Sequence, residues 1–417
     1  MLTNLFSLLP VELEQGPLQS FPKYRTQQLL AWMYKAFEND LKKMTNLPAD
    51  LKTLISSTYS LDLPHIESHR KSADGAIKYL LKLSDGALIE CVLIPERKKN
   101  TLCISTQVGC ARGCGFCSTA RMKLVRNLET HEIVGQIIIA AKELARVESF
   151  QPASVESFQP ASVESFQPLP NSNLSPNSKA ERTTHNPPFV VHSAAKNDTY
   201  SNQPRAESTP NLHPTPRITN LVFMGMGEPF DNQDNVFKTL QIIQSDGSLA
   251  FSPRRTTIST CGIVPGIIAM ADSGIKAKLA ISLNSAIDEK RNTLMPINKR
   301  YPLSQLKQAL LYYLRISKFR VTVEYILIPG INMDAEDIKA LRKFVGDISC
   351  KVNFIPFNPG RNATFQAPTT EQIESFMHKA QSLPQAVTLR KSRGADILGA
   401  CGQLVINKAI GDELCNI

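Results

Sequence analysis

Although 42% of the 417 residues are hydrophobic, the chain has no apolar run of membrane length. A spanning helix needs about 20 such residues, so a protein without membrane attachment is expected. Met1-Leu2-Thr3-Asn4 lacks the basic start of a secretory signal, which points to a cytoplasmic protein. The nine cysteines form an odd set with three of them clustered, a pattern unsuited to a disulfide framework. It suits metal or redox work in a reducing compartment. Acid is missing altogether from Arg97 to Arg126, where Arg97, Lys98, Lys99, Arg112, Arg121, Lys123 and Arg126 fall. With a formal net charge of +10, this one-sign stretch favours an anionic partner such as nucleic acid over a merely solvated basic face. The length allows two or three domains and one large core.

The chain is organised around Val108-Gly109-Cys110-Ala111-Arg112-Gly113-Cys114-Gly115-Phe116-Cys117-Ser118-Thr119. Its three cysteines, spaced Cys-x3-Cys-x2-Cys, are a donor set for an iron–sulfur cube, which takes one thiolate per iron. Three local thiolates leave one iron open to a substrate or cofactor. A zinc knuckle is the plain alternative, but it normally uses four ligands in recognisable pairs. Cys103 stands alone upstream and the next histidine is His131.

Before this loop, residues 1–75 read as a small helical unit. Leu30, Tyr34, Phe37 and Leu41 share one face of a helix over 26–41, and a second short helix covers 49–57. A few of its lysines are candidates for holding RNA. Residues 76–100 read as a hairpin extension, with strands 77–83 and 87–94 flanking Ser84-Asp85-Gly86. Glu90, an acid among apolar neighbours, points either to solvent or into a cleft as a proton-transfer group. From residue 101 to 392, β and α patterns alternate. Strands are expected at 102–106, 218–224, 256–260, 278–283, 321–328 and 351–357. Helices are expected at 129–146, 234–244, 265–273, 303–316, 335–345 and 370–382. Six such units predict an α/β fold, a partial (βα)6 barrel with its chemistry at the carboxyl ends of the strands. Residues 147–217 interrupt the order with an eight-residue repeat and hold 11 of the 27 prolines. That composition cannot build a core, so a disordered insertion is expected there.

Polar residues recur where strands should end. Gly227 and Glu228 lie in Gly225-Met226-Gly227-Glu228-Pro229; Ser259 ends the third strand; Ser282, Leu283 and Asn284 end the fourth; Asn358 ends the sixth. Singly each suits a turn or cap, but on one rim they suit a ligand site. Cys103, and Cys401 within the tail 393–417, are by themselves ordinary small apolar residues.

The cysteine spacing resembles the cluster loop of radical S-adenosylmethionine enzymes. With Cys103, Gln107-Val108-Gly109-Cys110, Gly225-Met226-Gly227-Glu228-Pro229, Arg393-Gly394 and Ala400-Cys401-Gly402-Gln403-Leu404, the pattern resembles the RlmN/Cfr family of RNA methyltransferases. The resemblance runs from the helical unit to the tail and leaves out only the repeat insertion. It implies a [4Fe-4S] cluster on Cys110, Cys114 and Cys117, and S-adenosyl-L-methionine at Gly227, Glu228, Ser259, Ser282, Leu283, Asn284 and Asn358. It implies Cys401 as the methylated carrier, Cys103 as the resolving thiol through a transient disulfide, and Glu90 as proton acceptor. The implied reaction methylates C2 of adenine in 23S rRNA and certain tRNAs, using two S-adenosylmethionine per methyl. A flavodoxin or ferredoxin as electron donor and a monomeric state are also implied. Some members carry histidine where this chain has Asn284. A Cfr-type C8 methyltransferase and a zinc-stabilised RNA-binding protein are the alternatives. Because 148–216 has the composition of a coreless segment, deleting it should leave fold and activity largely intact, as melting and methylation assays would show.

Overall fold

The computed structural model describes residues 2–97, 99–149, 217–360 and 363–406, except for the side chains of 147–149. The expected insertion, 147–217, therefore lies outside the described residues apart from its two ends. Among the described residues no helix is long and apolar enough to cross a membrane.

Helices α1 (Pro10–Gln15), α2 (Lys23–Tyr34) and α3 (Ala49–Thr58) build the amino-terminal unit. Leu13, Leu29, Met33 and Leu51 from these helices are fully buried. Helix α2 ends at Tyr34, well short of the expected residue 41, and Phe37 just beyond takes a left-handed φ of +53°. Phe37 and Leu41 still pack against the core, so their apolar spacing reflected burial without helix. The unit is tied to the rest by Lys35, whose Nζ donates to the Ser248 carbonyl at 2.6 Å, and by the Lys238–Glu12 ion pair.

The sheet starts earlier than expected, inside the stretch read as helical. Strand β1 (His65–Lys71) alternates exposed and half-buried positions with polar side chains on both faces, so no apolar period marks it. It is followed by β2 (Ile77–Lys82), β3 (Leu88–Glu96) and β4 (Lys99–Cys103), all antiparallel. From β4 on, each new strand is parallel to the one before, because a helix carries the chain back across the sheet. Helix α4 (Thr130–Ser149) leads towards β5 (Asn220–Phe223), and α5 (Gln233–Gln244) to β6 (Thr256–Thr260). Helix α6 (Val264–Asp272) leads to β7 (Lys278–Ser282); α7 (Asp288–Leu294) and α8 (Leu303–Ser317) lead to β8 (Val321–Leu327). Helix α9 (Ala335–Val345) leads to β9 (Cys350–Pro356), and α10 (Thr370–Ala380) to β10 (Ala386–Leu389). The six expected units are present, and β10 adds a parallel strand that its half-exposed edge position had hidden.

Strand order across the sheet is sequential from β10 to β1, and these two edges are not paired with each other. The barrel is therefore partial. Fully buried Leu221, Ile258, Leu279 and Val323 from the strands meet Leu240, Ile267, Leu310 and Leu341 from the helices. Parallel order puts the carboxyl ends of β4 to β9 on one rim, which is where a site can be assembled.

That rim is braced from within by Arg291 on α7, a fully buried guanidinium. Its Nε donates to the Leu283 carbonyl at 3.0 Å and its Nη2 to the Cys261 carbonyl at 2.7 Å, while Nη1 reaches Asn298 Oδ1 at 2.7 Å. The two carbonyls lie just past β7 and β6. Arg291→Met should leave the Cys261 carbonyl and Asn298 Oδ1 without these donors, while the Leu283 carbonyl keeps the Ser285 amide at 2.8 Å, and destabilise the protein by roughly 3 kcal/mol, measurable by chemical denaturation.

Candidate active site

The loop after β4 is shaped by two left-handed glycines, Gly109 (φ +79°) and Gly113 (φ +67°). At Gly109 a Cβ would stand 1.7 Å from the Lys123 carbonyl oxygen, so only glycine passes. The loop turns Cys110, Cys114 and Cys117 towards one cavity of about 140 Å³. Burial pushes all three thiols upward, Cys110 to about 12, and their mutual repulsion adds to the effect. Ionised thiolates here require an added positive charge, which bound metal provides. Among the described residues no three His, Cys, Asp or Glu side chains converge as one metal ion would need. An iron–sulfur cube spreads its ligands over separate irons. The donor set fits such a group.

The opposite wall comes from the strand ends. Gly227, Glu228, Ser259, Ser282 and Asn284 all line this cavity. Gly225 approaches the end of β4 so closely that a Cβ would lie 2.6 Å from the carbonyl oxygen of Ile104, the residue after that strand. Glu228 is buried; its carboxylate accepts from the amides of Cys261 at 2.8 Å and Phe230 at 3.2 Å. Burial outweighs these bonds and pushes its pKa above the usual carboxylate range. Asn284 takes a left-handed φ of +58°, which asparagine tolerates better than most residues. Its Oδ1 accepts from the Ile326 amide at 2.9 Å, and its carbonyl accepts from Asn332 Nδ2 at 2.7 Å. The side chain thus joins the end of β7 to β8 while facing the cavity.

The tail forms a strap across this site. The Ser118 amide donates to the Gly402 carbonyl at 2.7 Å, and Thr119 Oγ1 donates to the Leu404 carbonyl at 2.7 Å. Cys401, directly before Gly402, lines the first cavity and also a second, likewise about 140 Å³. Cys103 lines the second cavity, so Cys103 and Cys401, far apart in the sequence, border one space. Both are free thiols in this structure.

Three expected residues stand outside both cavities. Leu283 is fully buried, its amide donating to the Glu324 carbonyl at 2.9 Å. Asn358 Nδ2 donates to Ser392 Oγ at 2.5 Å and to the Pro356 carbonyl at 3.0 Å. Glu90 is buried under the strap, paired with Lys78 at 2.8 Å. Burial raises its pKa against the opposing pull of Lys78, the Val405 amide and Arg70.

Among the residues of the first cavity that were not anticipated are two charged ones, Glu324 and Arg390. Glu324 Oε2 is buried without a hydrogen bond, 3.8 Å from Arg390 Nη1. An acid inside the apolar run 321–328 was the available signal for Glu324. Arg390, beside both cavities, had none because it follows an edge strand. The basic stretch is also partly spent internally: Arg112 pairs with Asp231, and Arg126 with Asp85 at 2.8 Å and Glu132 at 2.7 Å. Asp231 and Asp85 come from distant segments and Glu132 from the start of α4, so the one-sign stretch overstates the charge available to an anionic partner.

Burial first, and then the neighbouring Cys401, push the Cys103 thiol up to about 12, against a smaller opposing pull from Arg390. Its thiolate fraction should therefore climb roughly tenfold per pH unit throughout the range from 7 to 10. Alkylation of Cys103 in the resting protein, followed by mass spectrometry, should rise with that slope and show no plateau.

Known proteins place this architecture. Residues 211–345 match the model of the radical SAM superfamily, and residues 19–60 match that of the ribosomal RNA large subunit methyltransferase N-terminal domain. The dual-specificity RNA methyltransferase RlmN of Bdellovibrio bacteriovorus is 35% identical over 93% of this chain and 79% of its own length. The RlmN of Geotalea uraniireducens is 35% identical over 94% of both chains. That of Desulfosudis oleivorans is 37% identical over 91% of this chain and 84% of its own. A crystal structure of a radical SAM methyltransferase from Sphaerobacter thermophilus superimposes with a TM-score of 0.77 at 32% identity, covering 96% of this chain and 99% of that one. With likeness of this extent from the helical unit to the strap, the chain belongs to the RlmN family of dual-specificity RNA methyltransferases.

Proposed function

We propose that this protein methylates C2 of an adenine in 23S rRNA and in certain tRNAs, with Cys401 as the carbon carrier. The observation that carries this reading is the position of Cys401, which borders both the cavity of the three cysteines and the cavity of Cys103. A sulfur in that place has access to chemistry on one side and to a second thiol on the other.

Cys110, Cys114 and Cys117 would hold a [4Fe-4S] cluster. Gly227, Glu228, Ser259, Ser282 and Asn284 would hold S-adenosylmethionine, Glu228 offering its carboxylate to the ammonium group. When bound, these groups supply a methyl for sulfur and a 5′-deoxyadenosyl radical. Leu283 and Asn358 belong to the same set only through their backbone or through rearrangement, since neither side chain lines the cavity. The rest falls to the protein. C2 of adenine is electron-poor and has no lone pair, so polar displacement fails there; a carbon radical carried on Cys401 sulfur can add to it. Glu90 then takes the C2 proton, and the group that the three cysteines would hold would take up the adduct's odd electron. The Cys103 thiolate attacks Cys401 sulfur; an S–S bond forms as the carbon–sulfur bond breaks, its electron pair going to the carbon, which picks up a proton to become the methyl of the departing RNA. The adenine has to quit its stack to reach Cys401. A flavodoxin or ferredoxin as electron source, action as a monomer, and a role in RNA holding for the amino-terminal unit complete the reading. The C8 reading shares the three clustered cysteines, the two further cysteines and the fold; the likeness to proteins named RlmN supports C2.

Cys103→Ala should stall after carbon–carbon bond formation, leaving RNA joined to Cys401 as a slow band that ribonuclease trims. Cys401→Ala and the double variant should show neither methylation nor band, because the carrier step precedes release. Cys110→Ala, Cys114→Ala or Cys117→Ala should each lose iron and turnover together. Nucleoside mass spectrometry separates 2-methyladenosine from the 8-isomer. Normal turnover by Cys103→Ala, or an adduct mapped elsewhere, would overturn the roles of the two thiols.

A further inference from the structure

Lys78 on β2 is a buried ammonium that none of the chemistry above uses. Its Nζ lies 2.8 Å from Glu90 Oε1 and donates to the Leu398 carbonyl at 3.3 Å. The other carboxylate oxygen, Glu90 Oε2, accepts from the Val405 amide at 3.0 Å. One ion pair therefore grips the strap three residues before Cys401 and four residues after it. Leu398 itself has a left-handed φ of +54°, a backbone state that a branched residue without special support seldom keeps. The ammonium at its carbonyl supplies that support. Arg70 on β1 adds positive charge near the same carboxylate.

We propose that Lys78 is a positioning residue: with Glu90 it forms a clasp that closes the strap over Cys401. While the clasp is shut, both Glu90 oxygens are occupied, one by Lys78 and one by the Val405 N–H. Each hydrogen bond that Glu90 loses as the strap lets go makes its carboxylate a stronger base, so strap release and readiness to accept a proton are coupled. That second statement rests on the proposed role of Glu90; the clasp does not.

The test uses the full-length protein, purified anaerobically with its metal content measured. Amide exchange at 398–406 and alkylation of Cys401 report the strap without any turnover. Lys78→Met should raise both by tenfold or more, the scale expected for losing charge-assisted hydrogen bonds, while exchange in β5 to β9 stays unchanged. Lys78→Arg, which keeps the charge, should restore most of the protection. Because a buried substitution can disturb folding, Val405→Pro provides an independent arm on the less buried side of the clasp: it removes the amide donor to Glu90, along with some backbone freedom at 404–405, and should loosen the strap likewise. In methylation assays Lys78→Met should lower kcat by tenfold or more with less than a threefold change in the KM for RNA. Undiminished strap protection in both Lys78→Met and Val405→Pro overturns the clasp, as does a loss confined to KM, which would make Lys78 a simple RNA contact. Loosened straps in a protein that makes 8-methyladenosine would support the clasp and defeat the C2 assignment.

Discussion

Two hydrogen bonds between the cysteine loop and the strap, from the Ser118 amide to the Gly402 carbonyl and from Thr119 Oγ1 to the Leu404 carbonyl, fix where Cys401 stands. They join segments almost 300 positions apart in the chain, and nothing local to either segment requires them. Once made, they divide what would be a single open mouth into two spaces with a thiol at the boundary. The sheet behind them serves this arrangement: its sequential order aligns the strand ends, and buried Arg291 holds the carbonyls of two of those ends in place.

The electrostatic character of the site follows from exclusion of water. Cys110, Cys114, Cys117 and Glu228 all have their charged forms disfavoured by burial. The one arginine inside the loop, Arg112, is already committed to Asp231. With Arg390 facing Glu324 across 3.8 Å, such a site has little unmatched positive charge and is rich in groups that would ionise if some arrived. That is the condition under which a cationic occupant gains most from binding, because it relieves the cost carried by each donor.

Much of the fold was legible because parallel strands buried on both faces write themselves as apolar runs. The strand 256–260 and the helix 335–345 have the expected limits. Legibility failed where burial and periodicity part company. Phe37 and Leu41 are packed without being helical, and β1 is a strand with polar residues on both faces. At the site, the cysteine loop and the glycine turn were readable since each is a local device. The partners of Glu90, by contrast, are Lys78 nearby and Val405 some 315 residues away. No sequence spacing announces such a meeting, and the same holds for Glu324 with Arg390.

The strap has a consequence for how the molecule is made. Synthesis runs from the amino end, and domains generally begin to fold as they emerge. The cysteine loop appears early in the chain, whereas Leu398 to Val405 lies near its carboxyl end. Until those residues arrive, the side of the cavity that Cys401 and Gly402 line has no wall. A nascent chain therefore presents its three cysteines with one flank uncovered until its carboxyl-terminal segment has been made.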